Sequence, residues 1–347
     1  MEMTAFGRDY RVLWGRRVLI LGGMVVALVM SLLLDLLAGP ADLGVEQILQ
    51  GLLDPASLDL RYRIILLDVR LPDALIALSV GAALGLAGIE TQTILNNPLA
   101  SPFTLGISAF AAFGASIAIV FVPSTAFVSH TVLLPVLALV FALLCGVLIL
   151  LFSHWTGGAR ESVILFGMAL FFLGNALTSA LQYVGSAEAV QQIVFWTVGN
   201  LTKAGWTEFY IVTACLLLVF PFSMRHVWVM TLVRAGEAQA LSLGLNLPRL
   251  RMIVILRVSV LAAFAVCFVG TIAFVGLIGP HIARMLLGED HRLLVPGSAL
   301  CGAVILSFAS FLSKTLIPGA IIPVGILTAL IGVPVFLMLI LGQKNRI

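Results

Sequence analysis

Ten stretches of this chain each approach the roughly 20 apolar residues that an α-helix needs to cross a hydrocarbon core. They occupy residues 18–38, 71–89, 103–122, 132–152, 163–183, 207–224, 252–270, 271–287, 295–313 and 321–341. The seventh and eighth abut and the eighth is short, so that pair is the least sharply divided. Of 347 residues, 61% are hydrophobic and 10% charged, where soluble domains carry about a quarter. The pattern predicts an all-α polytopic membrane protein with one transmembrane domain over 1–347. The first run is long enough to span and lacks a cleavage site, so it reads as a span rather than a removable signal.

Lysine and arginine set the orientation, because basic residues concentrate on the cytoplasmic side. With the N-terminus inside, the inner segments hold 13 of the 19: Arg8, Arg11, Arg16, Arg17, Arg160, Arg225, Arg234, Arg249, Arg251, Arg284, Arg292, Lys344 and Arg346. The outer segments hold 5, namely Arg61, Arg63, Arg70, Lys203 and Lys314, and Arg257 lies within a span. Both termini are therefore expected inside, with 1–17 and 225–251 as cytoplasmic segments. Outside, Asp42 is placed to cap an amphipathic helix carrying Leu43, Val45, Ile48, Leu49, Leu52 and Leu53 at the membrane surface. Trp196 and Trp206 are spaced as interface anchors would be, and Asn200-Leu201-Thr202 is read as a chance glycosylation match. Cys145, Cys215, Cys267 and Cys301 fall singly inside apolar runs, without metal or redox spacing, and read as small packing residues.

Two regions depart from plain lipid-facing helix. In VGAALGLAGIETQTILNNPLASPFTLGIS, Gly81, Gly85 and Gly88 put small residues on nearly one face before Asn96, Asn97, Pro98 and Pro102 break the helix. In VGTIAFVGLIGPHIARMLLGEDH, Gly270, Gly276, Gly279 and Pro280 precede a polar inner turn. Interrupted segments in both halves of a chain suit transport machinery, since non-helical backbone at membrane depth must be buried or line a cavity; ordinary packing and loop punctuation is the alternative. Glu90 and Arg257 either pair with each other or snorkel separately to the inner surface. Asn175, Thr178 and Gln182 share one helix face, and either line a path or bond between helices.

Phosphate-loop, zinc-protease and nucleophile-elbow motifs are absent from the sequence, as is a Cys/His cluster. No catalytic residue, resident metal or nucleic-acid partner is expected. If ATP drives this chain, another subunit must bind it.

Several motifs together resemble the permease subunits of the iron-chelate, haem and vitamin B12 uptake branch of bacterial ATP-binding cassette (ABC) importers. They are Arg70-Leu71-Pro72, VGAALGLAG, NNPLASP at 96–102, FWTVGNL at 195–201, SLGLNLPRLR at 242–251, GLIGPHIAR at 276–284, DHRLLVPGSAL at 290–300 and IPVGILTALIGVPVFL at 322–337. In order, they cover the chain from about residue 65 to the end. The resemblance implies a type II importer permease fold of ten helices in the bacterial cytoplasmic membrane. It also implies a second permease copy or paralogue, two cytoplasmic ATPase subunits carrying ATP and magnesium, and a periplasmic binding protein.

Particular positions acquire roles by the same resemblance. AGEAQALSLGLNLPRLR at 235–251 becomes the element coupled to the ATPase, through Glu237, Leu241, Gly244, Leu245 and Asn246. In it, Gly244 and Asn246 are expected to end a helix and Pro248 to prevent its continuation, with Arg249 and Arg251 at inner-leaflet phosphates. Asn97 and Leu99 match the cytoplasmic gate, with Glu161 and Ser162 as a looser second match. Arg70 and Lys314 match the cations that receive acidic groups of the binding protein. The motif departs at Asp73, where RLPR is usual, and Asp73 either pairs with Arg70 or caps the second span. A ferric siderophore is the expected substrate, with haem and cobalamin as alternatives. An ion-coupled secondary transporter is the competing reading; it needs a buried carboxylate near mid-membrane, and Asp35, Asp73 and Glu90 all lie toward helix ends.

Overall fold

The computed structural model describes residues 2–39, 41, 43–122 and 130–344, with side chains for 14–39, 41, 43–122 and 131–338. In chain order the helices are α1 (Glu2–Leu37), α2 (Val45–Leu53), α3 (Leu60–Ile64), α4 (Leu71–Ile94), α5 (Ile107–Phe121), α6 (His130–Trp155), α7 (Arg160–Val184) and α8 (Ala187–Thr197). There follow α9 (Trp206–Arg225), α10 (Val227–Ala235), α11 (Glu237–Ser242), α12 (Leu247–Val269), α13 (Val275–Leu287), α14 (His291–Thr315) and α15 (Val324–Lys344). Seven helical stretches are long and apolar enough to span a membrane, and shorter apolar helices lie at Ile107–Phe121, Val275–Leu287 and Val324–Met338. Together they fall on the ten runs read from the sequence.

The second span starts earlier than its apolar run. The Asp59 carboxylate accepts from the Arg61 amide at 3.1 Å and starts α3, which passes through the wide turn Ile65–Arg70 into α4 without a break. Arg61, Arg63 and Asp68 dilute the hydropathy there, so the apolar run begins only at 71. Asp42 lies outside the described residues. Helix α2 is amphipathic as expected, with Ile48 buried and Val45, Leu49, Leu52 and Leu53 exposed, and its start is fixed by Gln47 Oε1 accepting from the Gly44 amide at 2.9 Å.

Helix α4 is the axis of the fold. Its most apolar window is 83% buried, against 17% for α1, and it packs on α14, α12, α13 and α9. Glycine makes this possible. A Cβ on Gly88 would lie 1.8 Å from the Gly276 carbonyl oxygen, and one on Gly81 2.4 Å from that of Gly302, so backbones touch where side chains would otherwise hold them apart. All four cysteines are buried and unpaired with one another.

The abutting seventh and eighth runs are two helices, α12 and α13, separated by a non-helical stretch in which Gly270 (φ 77°) and Phe274 (φ 67°) are left-handed. Its polar groups are met by the FWTVGNL segment. The Asn200 amide donates to Val269 O at 2.7 Å, and Thr271 Oγ1 donates to Thr197 O. Broken backbone at membrane depth is tolerated when protein supplies these bonds. Trp196 is buried in this arrangement, which corrects its reading as an interface anchor. Trp206 is half-buried and donates to Leu67 O at 3.0 Å. Asn200 closes a local turn, accepting from the Thr202 amide at 2.9 Å.

Candidate functional site

The segment 95–106 leaves α4 through Asn96, a left-handed residue at φ 45°. Asparagine tolerates this conformation better than most side chains. The Asn97 amide then donates to Gln92 O at 3.0 Å, and Asn97 Oδ1 accepts from the Leu99 amide at 2.9 Å. Asn97 and Leu99, with Ala100, Phe103 and Leu105, line a cavity of about 380 Å³ closed by Ile164 and Met168 of α7, Phe274, Leu277 and Phe336. Its wall is mostly apolar. Glu161 and Ser162 are not among its lining residues; Ile164 and Met168, further along α7, face it instead.

The segment 235–251 is two helices joined by a turn. Gly244, at φ 79°, ends α11, and Leu241 and Leu243 are exposed beside it. Asn246 starts α12 rather than ending a helix, its side chain accepting from the Arg249 amide at 3.0 Å. Pro248 lies in the first turn of α12, where its missing N–H costs nothing, so it opens the next helix instead of blocking one. Arg251 is also corrected: it is buried and donates to Gly158 O and Glu237 Oε1. Glu237 also lies 3.4 Å from Arg160 Nη1, and Arg160 pairs with Glu161 at 2.8 Å. The turn before α7 is thereby fastened to the 235–251 element.

Glu90 and Arg257 pair, resolving the two sequence readings. Arg257 Nη2 and Nε donate to the two Glu90 oxygens at 2.7 and 3.2 Å, and Nη1 donates to Phe222 O at 3.2 Å. Glu90 has no exposed surface. A carboxylate buried in this way persists only with its cation and hydrogen bonds beside it.

At the outer end, Arg70 and Lys314 are also paired inward. Arg70 donates to the carbonyls of Leu36 at 2.8 Å, Leu37 at 3.2 Å, and Ala41, so its charge caps the C-terminus of α1. Lys314 Nζ lies 2.9 Å from Asp35 Oδ1 and 3.9 Å from Asp73 Oδ2. Asp73 therefore faces Lys314, not Arg70. Arg70 is buried and Lys314 half-buried with its side chain 6% exposed, so both cations expected to receive a docking protein's acidic groups are turned toward partners within the chain. Arg61, Arg63 and Lys203 are exposed on that side.

The FecCD transport family model matches residues 27–342. The chain belongs to the FecCD transport family. It is 38% identical over 331 residues to a protein of Methanocaldococcus jannaschii named as an ABC transporter permease, covering 93% of this chain and 94% of that one. It is 33% identical over 328 residues to the hemin transport system permease of Yersinia pestis, covering 93% and 97%. A solved metal-chelate type ABC transporter in an inward-facing conformation matches with a TM-score of 0.82 at 33% identity, covering 93% of this chain and 99% of that one. Other relatives are named for iron chelatin, Fe(3+)-citrate, molybdate and vitamin B12.

In this FecCD chain the 95–106 segment and the 225–251 stretch touch through Arg234 and Asn96. The α7 stripe divides. Thr178 is buried and Asn175 exposed, and each donates to a carbonyl of its own helix, Gly174 O at 2.9 Å and Phe171 O at 2.8 Å. Thr178 therefore faces its neighbours inside the chain, not a path at its surface, while Gln182 is half-buried. Phe274 was missed entirely. Its sole signal is its place among small and glycine residues after Gly270 in a run that otherwise reads as helix, and its left-handed backbone puts the start of α13 at the cavity.

Proposed function

We propose that this permease carries an iron chelate, a ferric siderophore foremost, across the bacterial cytoplasmic membrane, driven by ATP and magnesium on two separate ATPase subunits. A second permease copy or paralogue completes the path, and a periplasmic binding protein delivers the substrate. Family membership across 27–342 carries the reading. The iron-related names of several relatives support the choice of cargo, with haem, cobalamin and molybdate as the other substrates to be tested. In this reading Leu241 and Leu243 enter a pocket on the ATPase, Asn97 and Leu99 form the gate, and Asn175 and Gln182 border the path. Docking of the binding protein falls to the exposed Arg61, Arg63 and Lys203, whose charges steer encounter more than they set affinity. An ion-coupled mechanism is disfavoured because the fully buried carboxylates, Asp35 and Glu90, are each held by a cation.

The test is uptake into proteoliposomes containing the complete complex, with radiolabelled ferric siderophore, haem, cobalamin and molybdate offered separately. ATP-dependent accumulation of the ferric siderophore above the others is expected. Gly244→Pro or Leu241→Asp should abolish uptake and weaken ATPase assembly; intact transport in both would remove the coupling assignment. Accumulation that follows a proton gradient without the ATPase would overturn the importer reading.

A further inference from the structure

The inner end of α4 is enclosed by polar contacts that neither the gate nor the coupling stretch requires for its own shape. Gln92 Oε1 accepts from Arg284 Nη2 of α13 at 3.1 Å. Arg284 Nε lies 3.3 Å from Glu289 in the turn between α13 and α14. Glu289 in turn faces Arg234, with Nε and Nη2 at 3.4 and 3.5 Å from its two oxygens. Arg234 Nη1 then returns to α4, donating to Asn96 Oδ1 at 2.7 Å. The contacts form a closed ring through four elements. Their lengths are unequal, and the short one is Arg234 to Asn96.

The positions of those two residues give the ring a consequence. Asn96 is the left-handed residue that turns the chain out of α4, and the gate candidates Asn97 and Leu99 follow it directly. Arg234 lies in the last turn of α10, separated from α11 only by Ala235 and Gly236, which has φ 154°. One guanidinium thus links the base of the coupling helix to the residue that aims the gate segment. The Glu289 carboxylate is half exposed, so its pairing alone adds little stability. Its geometric effect is to keep the Arg234 fork oriented, since a planar guanidinium held on one edge presents the other in a fixed direction.

We infer that Arg234 is a positioning residue that carries displacement of the α10–α11 element to the gate segment through Asn96, with Glu289 and Arg284 orienting its guanidinium. The inference rests on the importer reading above. When α11 moves with its partner, Arg234 moves with α10 and changes the hydrogen bond that stabilises the Asn96 turn. A coupling of this kind biases two conformations of the gate segment rather than pulling it continuously.

The experiment measures uptake and ATP hydrolysis together in proteoliposomes containing the complete complex and its binding protein, with ferric siderophore as the probe. Arg234→Ala and Asn96→Gly should each lower substrate transported per ATP by about fivefold or more, while hydrolysis and ATPase assembly stay close to wild type. Asn96→Gly retains the left-handed turn without the acceptor, so it separates the hydrogen bond from the backbone conformation. Asn96→Asp, which keeps an acceptor facing Arg234, should preserve the ratio. The double variant should be no worse than either single one, the signature of a shared contact. An unchanged ratio in Arg234→Ala and Asn96→Gly, or losses that simply add, would overturn the inference. Absence of ATP-driven uptake by the wild type would instead overturn the importer reading.

Discussion

The two ends of α4 are both anchored by buried charge, but to different kinds of neighbour. Outside, Asp35, Asp73 and Lys314 tie α1, α4 and α14 together, and Arg70 closes the carbonyls at the end of α1. These are contacts among long helices that pack side by side. Inside, Glu90 binds Arg257 of α12, Thr93 Oγ1 meets His291 Nε2 of α14 at 2.8 Å, Gln92 meets α13, and Asn96 meets Arg234 of α10. Helices α9 and α12 flank the 226–246 excursion, so the inner anchor reaches the elements that enter and leave it. Buried charge holds both ends; in the proposed coupling, connectivity makes the inner one the lever. The outer end is the fulcrum in this picture.

That contrast breaks most directly at the two salt bridges. Arg257→Met should cost about 3–5 kcal/mol, because removing one partner leaves a buried charge uncompensated, read as thermal unfolding of the purified protein. It should also lower transport per ATP in the protein that remains folded. Lys314→Met should approach the same stability loss, about 3 kcal/mol, yet leave transport per ATP unchanged. Adding Asp35→Asn to Lys314→Met should recover most of that loss. If Lys314→Met uncouples transport as strongly as Arg257→Met, the division into fulcrum and lever is wrong.

Smaller changes sharpen the inner end alone. Thr93→Val should cost about 1–2 kcal/mol by taking one partner from the buried His291 ring, measured by the same unfolding assay. The smallest effect concerns pH. Hydrogen bonds from Arg292 hold the Asp290 carboxyl below its usual value, and Arg292 is itself stacked between Trp14 and Trp228 at 4.4 and 4.5 Å. The native value is lower than the unfolded one, so the stabilisation is complete above about pH 4 and is lost as pH falls through the native value. Asp290→Asn should flatten that acid limb of a pH–stability curve, with the curve near neutrality little changed.

Ten spans, the helix breaks after Gly88 and Gly270, and the amphipathic α2 were all legible, because each follows from local composition, periodicity or backbone freedom. Legibility failed where a local signal depends on what lies opposite. Trp196 carries the mark of an interface residue, but packs under the broken segment between α12 and α13. Arg70 and Lys314 read as cations for a docking protein and Arg251 as one for inner-leaflet phosphates, but each meets carbonyls or carboxylates supplied from elsewhere in the chain. Pro248 illustrates the same limit at short range. Proline stops one helix and starts another equally well, and the Asn246 cap decides which.

A membrane-crossing helical bundle, its orientation by charge and its resemblance to importer permeases are all legible in the residues alone, since hydropathy and motif order survive without any knowledge of contacts. The pairings are legible only in the fold. Glu90 and Arg257 are 167 residues apart and Lys314 and Asp35 279 apart, and at such separations the chain places no local constraint on which charges meet. The partner is chosen by packing: α4 is held close to α14 and α13 by glycine contacts, and the cost of leaving a buried charge unpaired then fixes which cations and carboxylates share the space.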